Sequence, residues 1–67
     1  MINIQINGET KEIPAEINLS KLLEVLALPN ERIAIELNKE VVRKKNWESI
    51  RIKDSDTIEV IHFVGGG

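Results

Sequence analysis

The chain contains no cysteine. That absence removes a disulfide frame, a thiolate zinc site and a cysteine nucleophile together. Small secreted domains usually depend on disulfides, so a reducing cytoplasm is the expected compartment. His62 is the one histidine. Without a second histidine or a thiol, no metal site is expected. A general base needs a positioned partner and a cleft, so His62 reads as a strand residue near a sheet end. No Ser-His-Asp set emerges from Ser20, Ser49 and Ser55, which fall at a helix start, a loop and a turn. Gly8 belongs to a turn and the other glycines are terminal, so there is no phosphate-cradling loop ahead of a helix. Aromatic residues are scarce, with only Trp47 and Phe63. The core must therefore be built from isoleucine, leucine and valine. A net charge of -2 gives no electrostatic case for nucleic acid or an anionic membrane. No apolar run approaches a membrane span. The opening "MINIQING" alternates in polarity and lacks the apolar centre of a secretory leader.

What is present is a single domain of 67 residues with 42% hydrophobic content, near the lower size limit for a chain that folds alone. Ile2, Ile4 and Ile6 alternate with Asn3 and Gln5, the period of a half-buried strand. Asn7-Gly8 is the dipeptide of a type I′ hairpin turn, which needs positive φ at both central residues. Thr10 to Ile13 is the returning strand, ended by Pro14. Asn18 is a helix cap. Leu19, Leu22, Leu23 and Leu26 form one apolar stripe behind it, with Lys21 and Glu24 facing water. Pro29-Asn30 is the expected stop. Ile33, Ile35 and Leu37 make a third strand. Asn38 to Glu40 is a turn, and Val41-Val42 a short return. Arg43 to Ser49 reads as irregular around Trp47, Ile50 to Lys53 as another short strand, and Asp54-Ser55-Asp56 as a turn. Thr57 to Val64 is the last strand and the most apolar. One amphipathic helix on one face of a mixed sheet closes such a core. The expected fold is an α+β roll of β-grasp type, with four to five strands over residues 1–64 and a flexible tail at 65–67.

Several residues invite a chemical reading. Arg43-Lys44-Lys45 is read as a solvated run rather than a docking patch for an acidic partner. Asp54 and Asp56 fit turn chemistry better than a carboxylate pair. Trp47 fits a plug for one end of a core with few large residues better than a stacking platform. In the last strand, inward Ile58 and Val60 place Glu59, Ile61 and Phe63 on the other face, with Asn3, Gln5, Ala34 and Glu36. Two readings of Ile61 and Phe63 stand open. They form an exposed docking surface, or a bulge near Ile61 reverses the parity and buries both.

The sequence ends in Gly65, Gly66 and Gly67. Three glycines extend about 10 Å beyond a fold. They present no Cβ to a narrow channel, and a free α-carboxyl is ionised at neutral pH. A carboxylate on a thin stalk can enter another protein's active site, attack ATP and become an acyl-adenylate. The bland reading is an inert terminus. Direct continuation from an apolar strand, without a polar spacer, weighs against it.

Across its whole length the chain resembles the ThiS-type sulfur carriers of thiamine thiazole biosynthesis, within the ubiquitin-like β-grasp family. The stretches "MINIQINGE", "LSKLLEVL", "IAIELNKEVVRKKNWESI" and "DSDTIEVIHFVGGG" carry the likeness. Family members commonly end in two glycines, so Gly66-Gly67 is the matching pair here. They often have proline where this chain has Arg43. The resemblance implies a carrier with no bound cofactor and no enzymatic activity of its own. An E1-like activating enzyme would adenylate the Gly67 carboxylate with ATP. Sulfur from a donor such as a cysteine desulfurase would displace AMP and leave a thiocarboxylate. Thiazole synthase would then accept the sulfur. Gly65 and Gly66 would thread the active sites, and Ile61 and Phe63 are the candidate docking contacts. A sister carrier for molybdopterin or cysteine synthesis, and a ubiquitin-like module that docks without reacting, are the alternatives.

Overall fold

The computed structural model describes residues 1–29 and 31–63. Strand β1 (Ile2–Ile6) turns into β2 (Glu9–Ile13). Both turn residues have positive φ, 49° at Asn7 and 85° at Gly8. That is the geometry the Asn-Gly pair selects. Helix α1 spans Leu19–Val25. Strands β3 (Ile33–Leu37) and β4 (Glu40–Val42) form a second hairpin, and β5 covers Thr57–His62. The strands make one sheet in the order β2-β1-β5-β3-β4. Strand β1 pairs with β5 in parallel, and every other pairing is antiparallel. The expected mixed sheet with one main helix is thus observed.

The core lies between the helix and one sheet face. Ile4, Ile13, Leu19, Leu22, Ile35 and Ile58 are its fully buried members. Among the described residues no polar or charged side chain is buried, so no desolvated polar group burdens this small core. The Asn18 side chain accepts from the Lys21 backbone N–H at 2.7 Å and caps the helix as expected.

The helix stops earlier than the proline predicts. Leu28 N–H donates to the Leu23 carbonyl at 2.8 Å, and Ala27 N–H to the Glu24 carbonyl at 3.0 Å. With Ala27 at φ 55°, this is a Schellman closure. Alanine occupies the left-handed position that usually belongs to glycine. Leu26, read as the end of the apolar stripe, is the C-cap and still packs on the core.

Three further expectations are corrected. The segment around Trp47 is a 3-10 helix over Lys44–Ser49 rather than irregular chain. Burial of Trp47 draws the backbone into that turn, and its indole Nε1–H donates to the Val42 carbonyl at 3.2 Å. Ile50 to Lys53 is not a sheet strand. Its contact is a single bridge between Arg51 and Asn18. Leu19 N–H donates to the Ile50 carbonyl at 2.8 Å, and Ile52 N–H to the Ile17 carbonyl at 2.9 Å. Alternating Ile50 and Ile52 thus tie down the start of the helix instead of widening the sheet. The last strand ends at His62, while Val64 lies outside the described residues. The plug reading of Trp47 holds.

The Ala27 geometry yields a prediction. A left-handed non-glycine residue costs roughly 1–2 kcal/mol, and a new glycine adds about 0.4–1 kcal/mol of unfolded-state freedom. Ala27→Gly is therefore expected to raise stability by up to about 1 kcal/mol, a gain of several degrees in Tm for a domain of this size. Lys21→Gly, on the exposed face inside the helix, is expected to lose about 1 kcal/mol. Urea denaturation of the two variants beside the wild type checks the opposite signs.

Candidate functional site at the exit of the last strand

The chain leaves the fold through β5, the central strand of the sheet. Its register with β3 runs without interruption from Leu37 opposite Ile58 to Ile33 opposite His62. There is no bulge near Ile61, and the alternation continues outward. Ile58 is fully buried, whereas Ile61 is 46% and Phe63 52% exposed. Of the two readings left open by the sequence, the exposed surface is the one observed. Gly65, Gly66 and Gly67, the expected reactive tail, lie outside the described residues.

The open face of the sheet follows from cross-strand partners. Ile61 lies opposite Ala34, and Glu59 opposite Glu36, which is itself opposite Val41. Val41 is 71% exposed, so an apolar residue on β4 shares the face with Ile61. The sequence reading placed Val41 on a strand but gave it no face, because that assignment needs the hairpin register. Glu36 and Glu59 are like charges directly across from each other, a mildly unfavourable arrangement. Glu12 of β2, opposite Asn3, lies on the same face.

A network of short polar side chains fixes the entry and the course of β5. Asp54 Oδ1 accepts from the Asn3 backbone N–H at 2.8 Å, and Asp56 Oδ2 from the Lys53 N–H at 2.7 Å. These bonds support turn chemistry over a catalytic carboxylate pair. Asn38 binds the strand start on both sides of its amide: its Oδ1 accepts from Thr57 N–H at 2.9 Å, and its Nδ2 donates to Asp56 Oδ1 at 3.1 Å. Asn7 Oδ1 accepts from the Val60 N–H at 2.9 Å. At the far end, Phe63 N–H donates to the Arg32 carbonyl at 2.9 Å. The roles of Asn38 and Asn7 were missed in the sequence because their partners lie 18 to 53 residues away. No local pattern marks such a bond.

The remaining candidates fall where bland readings put them. His62 is exposed at the end of β5, and Arg43, Lys44 and Lys45 are exposed. No cluster of three metal-ligating side chains occurs among the described residues. No helix among them is long and apolar enough to cross a membrane.

A five-stranded mixed sheet packed on one helix, with its central strand leading into a glycine end, defines a ubiquitin-like β-grasp domain. The particular family follows from comparison. The model of the ThiS family matches residues 4–67, and the chain belongs to that family. It is 34% identical over 67 residues to the sulfur carrier protein ThiS of Bacillus subtilis, covering 96% of this chain and 98% of that one. An uncharacterized protein, ycf40, of Porphyra purpurea is 42% identical over 66 residues, covering 98% and 93%. The crystal structure of the thiamine biosynthesis protein ThiS from Geobacter metallireducens superposes with a TM-score of 0.87 at 30% identity, covering 98% of this chain and all of that one. Thiazole synthase of Magnetococcus marinus is 38% identical over 66 residues, and there the chain spans only 20% of the relative's length. A thiazole synthase of Paramagnetospirillum magneticum matches over the same fraction, at 32% identity.

The exposure pattern predicts a separation between stability and surface. Ile61→Ala and Phe63→Ala are each expected to change stability by less than about 0.5 kcal/mol, as surface substitutions do. Ile58→Ala, three residues before Ile61 on the inner face, is expected to lose about 2–5 kcal/mol. Thermal denaturation followed by the single tryptophan checks this. A large loss in Phe63→Ala would show the side chain to be part of the core.

Proposed function

We propose that this chain is a protein sulfur carrier of thiamine biosynthesis, and that it acts as a co-substrate rather than as an enzyme. The observation that carries the reading is a family match that runs through the fold and on to Gly67. Relatives of nearly the same length, one a sulfur carrier protein by name, support it. In this reading the Gly67 α-carboxylate is the working group. One carboxylate oxygen attacks the α-phosphorus of ATP on an E1-like activating enzyme, and pyrophosphate leaves. Sulfur from a donor such as a cysteine desulfurase, carried as a persulfide and released at the hydrosulfide level by a thiol reductant that is itself oxidised to a disulfide, then adds to the acyl carbon. AMP departs and a thiocarboxylate remains. ATP is bound by the activating enzyme, and the carrier needs no cofactor of its own.

Thiazole synthase is the proposed acceptor. Two proteins of that name contain a segment similar to 98% of this chain, making up 20% of their length. Joining two modules in one chain raises the effective concentration of one near the other, which suits a carrier and its acceptor. A cytoplasmic site of action goes with these partners. Gly65 and Gly66 supply a stalk narrow enough to thread an active site. Ile61 and Phe63, exposed at its base, are the proposed docking contacts. Their position lets the body bind while the tail reacts.

The requirement for a free carboxylate at Gly67 gives the test. A variant extended by one alanine after Gly67 is expected to lose activation completely, read as ATP–pyrophosphate exchange with the activating enzyme. Unchanged exchange in the extended chain would leave a docking module without tail chemistry. Phe63→Ala is expected to remain folded and to be activated more slowly. Activation at the wild-type rate would remove Phe63 from the docking surface.

A further inference from the structure

We propose that Asn7 is a positioning residue for the reactive tail: its side chain adds one rung to the β1·β5 ladder and holds the strand from which the tail departs. The inference rests on the sulfur-carrier reading for its functional half and on geometry alone for its structural half.

The parallel ladder is short. Gln5 lies opposite Thr57 and Ile6 opposite Ile58. Gln5 N–H donates to the Asp56 carbonyl, and Asn7 N–H to the Ile58 carbonyl, each at 3.0 Å. A parallel ladder continues by offering the next donor of the neighbouring strand an acceptor from the same residue. That donor is Val60 N–H. The backbone of Asn7 has already entered the hairpin turn at φ 49°. Its side-chain Oδ1 takes the bond instead, at 2.9 Å. Among the described residues, nothing on the β1 side bonds β5 beyond Val60. The β3 side continues to Phe63. Without the amide of Asn7, the final stretch of β5 is held along one edge only.

Two demands therefore meet at one position. The turn needs a residue that accepts positive φ, which glycine, asparagine and aspartate all satisfy. The rung needs a side-chain acceptor of the right length, which glycine lacks. A turn requirement alone does not distinguish asparagine from glycine; the rung does. With the Asn7 rung, the end of β5 is held along both edges, so less freedom remains to be lost there when a partner engages the strand.

The substitutions that separate the two demands are Asn7→Gly, which keeps the turn and drops the acceptor, and Asn7→Asp, which keeps both. In Asn7→Gly, hydrogen exchange at the Val60 amide is expected to accelerate well beyond any change at Ile4 or Ile35, which report global opening. The KM of the activating enzyme for the carrier is expected to rise about fivefold, the worth of one net hydrogen bond, with kcat within about twofold of wild type. Asn7→Asp is expected to restore both readouts. Val60 exchange that only follows the core amides would overturn the proposal. So would an unchanged KM, an Asn7→Asp variant as impaired as Asn7→Gly, or collapse of the fold in Asn7→Gly. Wild-type protein that is not a substrate would overturn the carrier reading and this role in it, whereas the exchange measurement decides the rung without any enzyme.

Discussion

The parallel pairing of β1 with β5 is the constraint on which the rest depends. It joins the first strand of the sequence to the last and puts β5 in the middle of the sheet. A strand in the middle is hydrogen-bonded on both edges and presents one face to the core. Ile58 on that face is completely buried. The last described strand is therefore a central one rather than an edge. In the proposed carrier reading, this anchoring fixes the part of the fold from which Gly67 is presented to a partner.

The two faces of the same sheet divide the work. The inner face, with Ile4, Ile13, Ile35 and Ile58, supplies the apolar burial on which so small a chain depends when it has no cysteine for a disulfide. The outer face is left open. Acidic side chains at Glu36 and Glu59 stand beside Ile61 and Ala34 there. Alternation along β5 puts Ile58 in the core and Ile61 on the open face.

Much of this was legible in the residues. Asn7-Gly8, the Asn18 cap, the leucine stripe and the alternation in β1, β3 and β5 all obey local rules, and the structure keeps them. What local rules do not encode is pairing. Ile50 and Ile52 alternate like a strand, yet they bind the chain ahead of the helix. Pro29 is a real helix breaker, but Ala27 stops the helix first by adopting a conformation that its own propensity disfavours. At the candidate site, parity put Ile61 and Phe63 on one face. Only the register with β3 excluded a bulge and showed both to be exposed. The rung from Asn7 to Val60 spans 53 positions, and no sequence pattern announces it.

Intact mass spectrometry reads the proposed sulfur on the glycine end without an indirect assay. The protein is incubated with ATP, the activating enzyme and a sulfur source, then weighed whole and fragmented. A gain equal to replacement of one oxygen by sulfur, located at Gly67, is expected. With no cysteine in the chain, no thiol confuses the assignment. An unchanged mass, with an activating enzyme proven on another carrier, would rule out sulfur carriage and leave a β-grasp domain that binds without reacting.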